Sequence, residues 1–165
     1  MKSLLLLRHA KSGNLAPGLK DFDRTLTDGG RKAAHLAGTY ISSHKLHLGL
    51  VMSSPAVRAC ETAEIVLRSS NKRIDLQYDQ RIYEGTAQSL LDVIHDVDKK
   101  LKQILLIGHN PGLEELLRLL TGVPQPMGTA SLAKLSADIS EWNECESGTG
   151  VLDWFVTASE LESME

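Results

Sequence analysis

Short apolar runs alternate with longer stretches of helical spacing through most of the chain. Leu4-Leu5-Leu6-Leu7 follows only Met1, Lys2 and Ser3, and is too brief for a helix that must reach the surface. Such a run suits a strand buried on both faces of a parallel sheet. Gly49-Leu50-Val51-Met52 and Ile104-Leu105-Leu106-Ile107 read the same way. Between these runs the apolar period lengthens. Thr27 or Asp28 can cap a helix that continues through Arg31 to about Ser43, with Ala33, Leu36, Ala37, Tyr40 and Ile41 on one face. At Ser53-Ser54-Pro55 a serine caps and Pro55 takes the first position of a second helix, about Ala56 to Arg68. Its buried face is expected to carry Val57, Cys60, Ala63, Ile65 or Val66, and Leu67. Ser89 opens a third helix with Leu91, Ile94, Val97 and Leu101 at helical spacing. A fourth runs from Pro111 to Leu120, where Gly122 stops it.

The breaks between these elements are polar. Gly13 to Asp23 holds Pro17 and Gly18 and has no apolar period, so it reads as a loop. Ile74-Asp75-Leu76-Gln77-Tyr78 alternates, as a sheet-edge strand does. Beyond Pro124 and Pro126 the character changes. Ser131 to Leu135 and Val151 to Val156 read as strands, with Glu141 to Gly150 between them. Strand–helix alternation followed by a pair of strands predicts a three-layer α/β/α domain with a mostly parallel central sheet and some antiparallel strands late in the chain. No internal repeat or low-complexity segment interrupts it, and residues 1–165 are expected to form one domain.

Composition narrows the class of partner. With 42% apolar and 24% charged residues, the chain has the makings of an ordinary globule with a sizeable core. A net charge of −3 argues against sequence-independent nucleic-acid binding, which needs a broad basic face. Cys60 and Cys145 have neither metal-ligand spacing nor a disulfide framework, and suit a reducing compartment. The N-terminal apolar run is shorter than a signal peptide's, and no later run approaches the ~20 residues of a membrane span. A cytoplasmic protein is expected, with no membrane or nucleic-acid partner.

The chemistry gathers where strands end. The first strand runs into Arg8-His9-Ala10-Lys11-Ser12, and the Ile104 strand into Gly108-His109-Asn110-Pro111-Gly112. Ligands of open α/β sheets bind at the carboxyl ends of strands. The second strand delivers Ser53, Ser54 and, one helical turn in, Arg58; the loop after the third carries Glu84. A phosphoryl group in transfer spreads charge over three equatorial oxygens, which positioned cations and N–H donors stabilise. Arginine's planar fork holds two oxygens at once. Histidine attacks phosphorus through one nitrogen when a carbonyl holds the N–H on the other. A carboxylic acid then protonates the leaving group and later activates water. Two histidines, two arginines and a glutamate supply these parts without a metal, and no His/Cys/carboxylate cluster has ligand spacing. Neither metal nor cofactor is expected. Ser53 and Ser54 read as caps, and His35, His44, His47 and His95 as residues of solvated helix faces or loops.

Leu7-Arg8-His9-Ala10, Ser53-Ser54-Pro55 with Arg58-Ala59 and Glu61-Thr62, and Gly108-His109-Asn110-Pro111-Gly112 resemble the motifs of the histidine phosphatase superfamily, which includes phosphoglycerate mutase. The short length, Arg24-Thr25-Leu26-Thr27 with Gly30, and the ending Gly150-Val151-Leu152-Asp153-Trp154 are similar to its SixA-type phosphohistidine phosphatase branch. The resemblance implies a phosphoglycerate mutase-like fold and a metal-independent phosphatase with His9 as the phosphorylated nucleophile. Arg8, Arg58 and His109 would form the phosphate pocket, with Ser12 and Asn110 as further phosphate contacts. Ala10 stands where the superfamily usually has glycine. For the proton donor two carboxylates compete. Glu84 sits where many relatives keep a glutamate, and Asp21, with Asp23 beside it, matches the first-loop aspartate of SixA-like proteins. The implied substrate is phosphohistidine on a protein. The alternatives are a small phosphorylated metabolite, or phosphate binding without catalysis.

Overall fold

The leucine run forms β1 (Lys2–Arg8), in which Leu5, Leu6 and Leu7 are completely buried. It lies inside a six-stranded sheet of a computed structural model that describes residues 1–165. Around β1 the chain forms α1 (Asp28–Ser43), β2 (Leu50–Ser53), α2 (Val57–Ser70), β3 (Asp75–Tyr78) and α3 (Ala87–His95). Then follow β4 (Gln103–Gly108), α4 (Gly112–Thr121), β5 (Leu132–Ala137), β6 (Gly150–Val156) and α5 (Ala158–Ser163). The strand order is β3-β2-β4-β1-β5-β6. The first four strands pair in parallel, and β5 is antiparallel to both β1 and β6. The fold is therefore the expected α/β class, mostly parallel with its antiparallel strands late.

Strand periodicity divides the core into two layers. Leu4, Leu6, Ile104 and Leu106 face α3 and α4, whereas Leu5, Leu7, Leu105 and Ile107 face α1, α2 and α5. Close backbone approach holds the layers together at the sheet's carboxyl edge. A Cβ on Gly30, in the first turn of α1, would overlap the Lys11 carbonyl just past β1. One on Gly112, at the start of α4, would overlap the Gly85 carbonyl before α3.

Several boundaries differ from the expected ones. Helix α2 begins at Val57 with Ala56 as its cap residue, so Pro55 precedes the helix and does not open it. Its buried face carries Arg58, Ala59, Thr62, Ala63 and Val66, while Val57, Cys60, Ile65 and Leu67 are half-buried flanks. Helix α3 starts at Ala87 after a Thr86 cap that accepts from Ser89 N at 3.2 Å, and it ends at His95. Val97 and Leu101 still pack on the core, but from a turn in which the Asp98 carboxylate accepts the Lys100 N–H at 2.8 Å. A local aspartate bond of this kind competes with helix continuation. The short helix α5 lies beyond the expected elements, stabilised by a Thr157–Glu160 capping box. No helix is long and apolar enough to cross a membrane.

Candidate active site

Parallel pairing sets Arg8 beside Gly108, so the residues that follow, His9 and His109, emerge from adjacent strand ends. Their ring centroids lie 5.0 Å apart. From the first turn of α2, Arg58 reaches both rings. Its Nε is 3.4 Å from His9 Nε2, and its Nη2 is 3.4 Å from His109 Nδ1. All three side chains are buried.

The state of each ring follows from its partners. His9 Nδ1 is 2.8 Å from the Ala10 carbonyl, which can only accept, so Nδ1 carries the proton and Nε2 the lone pair. Burial pushes the His9 pKa down to about 4; the Ala10 carbonyl works against this, and the Arg58, Arg8 and Arg24 charges work with it. Arg58 can only donate, so His109 accepts at Nδ1 and donates from Nε2 to Ser54 Oγ at 2.7 Å. Burial, then the neighbouring His9 and Arg58, lower the His109 pKa to about 3. Near neutral pH both rings are uncharged. Ala10 is fully buried, does not adopt a left-handed backbone, and donates its N–H to Thr62 Oγ1 at 3.0 Å, so alanine fits without strain.

Arg8 donates from Nη1 to the Met127 carbonyl at 3.0 Å, and its Nε is buried with no protein acceptor. A buried guanidinium N–H in need of a partner suits an incoming oxyanion. The two expected auxiliary contacts are each held by protein neighbours. Asn110 donates to Glu114 Oε1 at 3.0 Å and to the Met127 carbonyl at 2.7 Å, bracing the loop that also receives Arg8. Ser12 pairs through its backbone with Leu26, and its hydroxyl makes no hydrogen bond with the histidines or arginines.

The two acid candidates are placed apart. Asp21 lies in a single 3-10 turn (Asp21–Asp23) and meets the pocket directly. Arg58 donates from Nη1 to the Asp21 carbonyl at 2.8 Å and from Nη2 to Oδ2 at 3.1 Å. Tyr83 donates its hydroxyl to Oδ2 at 2.9 Å, and Arg24 Nη2 is 3.0 Å from Oδ1. Burial favours the neutral carboxyl, but the Tyr83 hydroxyl, Arg58 and Arg24 outweigh it and hold Asp21 below the ordinary carboxylate range. Burial and the same contact push Tyr83 up to about 12. Glu84 makes no such contacts. It is exposed, has a left-handed φ of 53° and makes no hydrogen bond, and Asp23 is exposed as well.

Four contributors were not assigned from the sequence: Ser54, Thr62, Tyr83 and Arg24. Ser54 does accept the Ala56 N–H at 3.2 Å, which resembles the cap expected of it, but its hydroxyl also orients His109. Tyr83 carried a usable signal. Aromatic residues are only 4% of the chain, and this one sits in a polar loop, where it packs edge-on against both His109 and Phe22.

Residues 4–90 match the family model of the histidine phosphatase superfamily (branch 1), and the chain belongs to that superfamily. Among the superfamily members it resembles are SixA-type proteins and, at lower TM-scores, metabolite phosphatases such as a mycobacterial glucosyl-3-phosphoglycerate phosphatase (TM-score 0.72 at 16% identity). A structure assigned to phosphohistidine phosphatase SixA of Agrobacterium tumefaciens superposes with a TM-score of 0.81 at 28% identity, over 94% of this chain and 97% of that one. The protein histidine phosphatase SixA bound to tungstate has the same fold, with a TM-score of 0.84 at 21% identity over 96% and 99% of the two chains. An uncharacterized chloroplastic protein of Arabidopsis thaliana is 29% identical over 93% of this chain and 74% of its own length.

Proposed function

We propose that the protein is a phosphatase that takes phosphate onto His9 Nε2, passes it to water, and draws it from phosphohistidine on another protein. The observation that carries this reading is the neutral His9, whose Nδ1–H is held by the Ala10 carbonyl while Nε2 faces Arg58. In that state the attacking nitrogen needs no separate base. Arg8 and Arg58 supply fixed positive charge for the phosphate oxygens. His109, oriented by Ser54, adds a third ligand once the dianion brings a proton to Nδ1. Ser54 accepts from Nε2–H whether His109 is neutral or charged, so no tautomer exchange is required.

The phosphohistidine assignment draws on the SixA proteins that share the fold. It also draws on exposed apolar side chains in the connections that follow β1 and α4. Leu15 and Leu19, in the connection between β1 and α1, and Val123, after α4, are exposed. An enclosed metabolite site buries most of its ligand. A phosphate presented on a protruding side chain of a protein needs no such enclosure. The test is kcat/KM of the purified protein on a phosphohistidine-bearing protein beside a panel of phospho-sugars and nucleotides. The phosphoprotein is expected to exceed every metabolite. A metabolite turned over near ~10⁶ M⁻¹s⁻¹, within the range of efficient enzymes, with phosphohistidine proteins untouched, would overturn the reading.

A further inference from the structure

The pocket has an anion in it. Asp21 Oδ2 shares Arg58 Nη2 with His109 Nδ1, which places the carboxylate one guanidinium away from the nucleophile. Unlike the buried histidines, the Asp21 side chain is 39% exposed. Since His9 lies buried at the base of the pocket, an in-line leaving group departs toward the open side, where Asp21 stands. The charged and titratable groups bonded to this carboxylate favour its anionic form or are neutral: Arg58, Arg24, Tyr83 and, through Arg58, His109; the carboxylates of Asp23, in the same turn, and Glu84, next to Tyr83, are exposed to solvent. A carboxylate so held has no proton to donate to an alkoxide.

We propose that Asp21 is the counter-ion of a cationic leaving group, binding the ring N–H of a phosphoimidazolium and so selecting phosphoramidates over alkyl phosphates. This rests on the functional reading above and assigns the source of its substrate preference. The step balances without an external acid. The His9 Nε2 lone pair forms the new bond to phosphorus, and the substrate P–N bond breaks with its electron pair returning to the leaving nitrogen. The substrate ring keeps the N–H on its other nitrogen and leaves as neutral imidazole. His9, with Nδ1–H retained, becomes the phosphoimidazolium. Water then adds to phosphorus, the His9–P bond breaks, and both water protons leave with dihydrogen phosphate. Transfer between two imidazoles needs no net proton movement, whereas an alkoxide must acquire a proton. Tyr83 and Arg24 are positioning residues that keep the carboxylate aimed and charged.

The test compares phosphoimidazole, p-nitrophenyl phosphate and glycerol phosphate as substrates for wild type, Asp21→Asn and Tyr83→Phe. Asp21→Asn is expected to lower the ratio of kcat/KM for phosphoimidazole to that for p-nitrophenyl phosphate roughly 10- to 100-fold, the range of one hydrogen bond to a charged group. It should also move the alkaline limb of kcat for phosphoimidazole to lower pH, because the bound ring loses the anion that kept it protonated. Tyr83→Phe should shift the ratio and the limb in the same direction by a smaller factor, in a protein whose ring packing is intact. A loss in Asp21→Asn greatest on glycerol phosphate and least on phosphoimidazole would make Asp21 a proton donor and overturn the inference. An unmoved ratio and limb, in a wild type that hydrolyses phosphoimidazole, would overturn it alone. A wild type inert toward both phosphoimidazole and phosphohistidine proteins would remove it together with the functional reading.

Discussion

Arg58 Nε stands 3.4 Å from His9 Nε2, on the side of the ring opposite the Ala10 carbonyl. One residue thus holds the nucleophile on its reacting side, touches His109, and anchors Asp21 through both backbone and side chain. A cation at 3.4 Å opposes a second positive charge on the imidazole, and with burial it keeps His9 neutral.

Neutral buried histidines tie folding to pH. The folded pKa values of His9 and His109, about 4 and about 3, lie below the ordinary histidine value. As pH falls below ~6.5, the unfolded chain takes up protons that the folded chain refuses, and stability declines. The decline continues until the folded pKa values are passed. A tenfold difference in proton affinity between the two states is worth about 1.4 kcal/mol, so two such rings should cost on the order of 2–4 kcal/mol between pH 7 and pH 5 in denaturant titrations. His109→Gln should flatten that slope. A wild-type stability unchanged or higher at pH 5 would contradict the burial argument.

Much of this arrangement was legible in the chain, and the reasons are local. Leu4 to Leu7 read as a doubly buried strand because both faces of β1 are covered, and a strand with apolar residues on both faces has no polar alternation to confuse it. His9, His109 and Arg58 were found because each follows a strand end directly or by one helical turn. The sequence pattern overshoots the end of α3 because Val97 and Leu101 keep the apolar period after the helix has ended, while the Leu101 carbonyl instead receives the Trp142 indole N–H at 2.8 Å. Asp21 could not be separated from Asp23 or Glu84, since its selection depends on Arg58, a partner 37 positions away. Ser54 looked like a cap because its second bond, to His109, spans 55 positions.

Ser54→Ala leaves His109 Nε2–H without its buried acceptor. Losing a buried hydrogen-bond partner costs about 1–3 kcal/mol, so kcat/KM should fall roughly tenfold or more. The His109 ring, followed by NMR, should gain mobility while Arg58 still holds Nδ1 as the acceptor and the fold persists. Wild-type kinetics in Ser54→Ala would mean that His109 is oriented by other contacts.

Guanidinium groups and a protonatable histidine provide the positive charge that metals supply in other phosphatases. Turnover should accordingly survive a chelator without change, and vanadate or tungstate should inhibit. Because the entering oxyanion favours the charged form of His109, its binding should take up a proton and tighten as pH falls toward ~6, measurable by calorimetry in buffers of different ionisation enthalpy. Activity lost to chelation and restored by zinc or magnesium would require a different chemistry.

The central claim is a covalent phosphate on His9. Turnover of ³²P-labelled phosphohistidine protein, quenched in base during the steady state, should leave label on the enzyme that is stable to base, labile to acid, and mapped to the peptide containing His9. His9→Ala should carry no label and show no turnover. Full turnover in His9→Ala, or label found stably at Ser54 or another residue, would contradict the account.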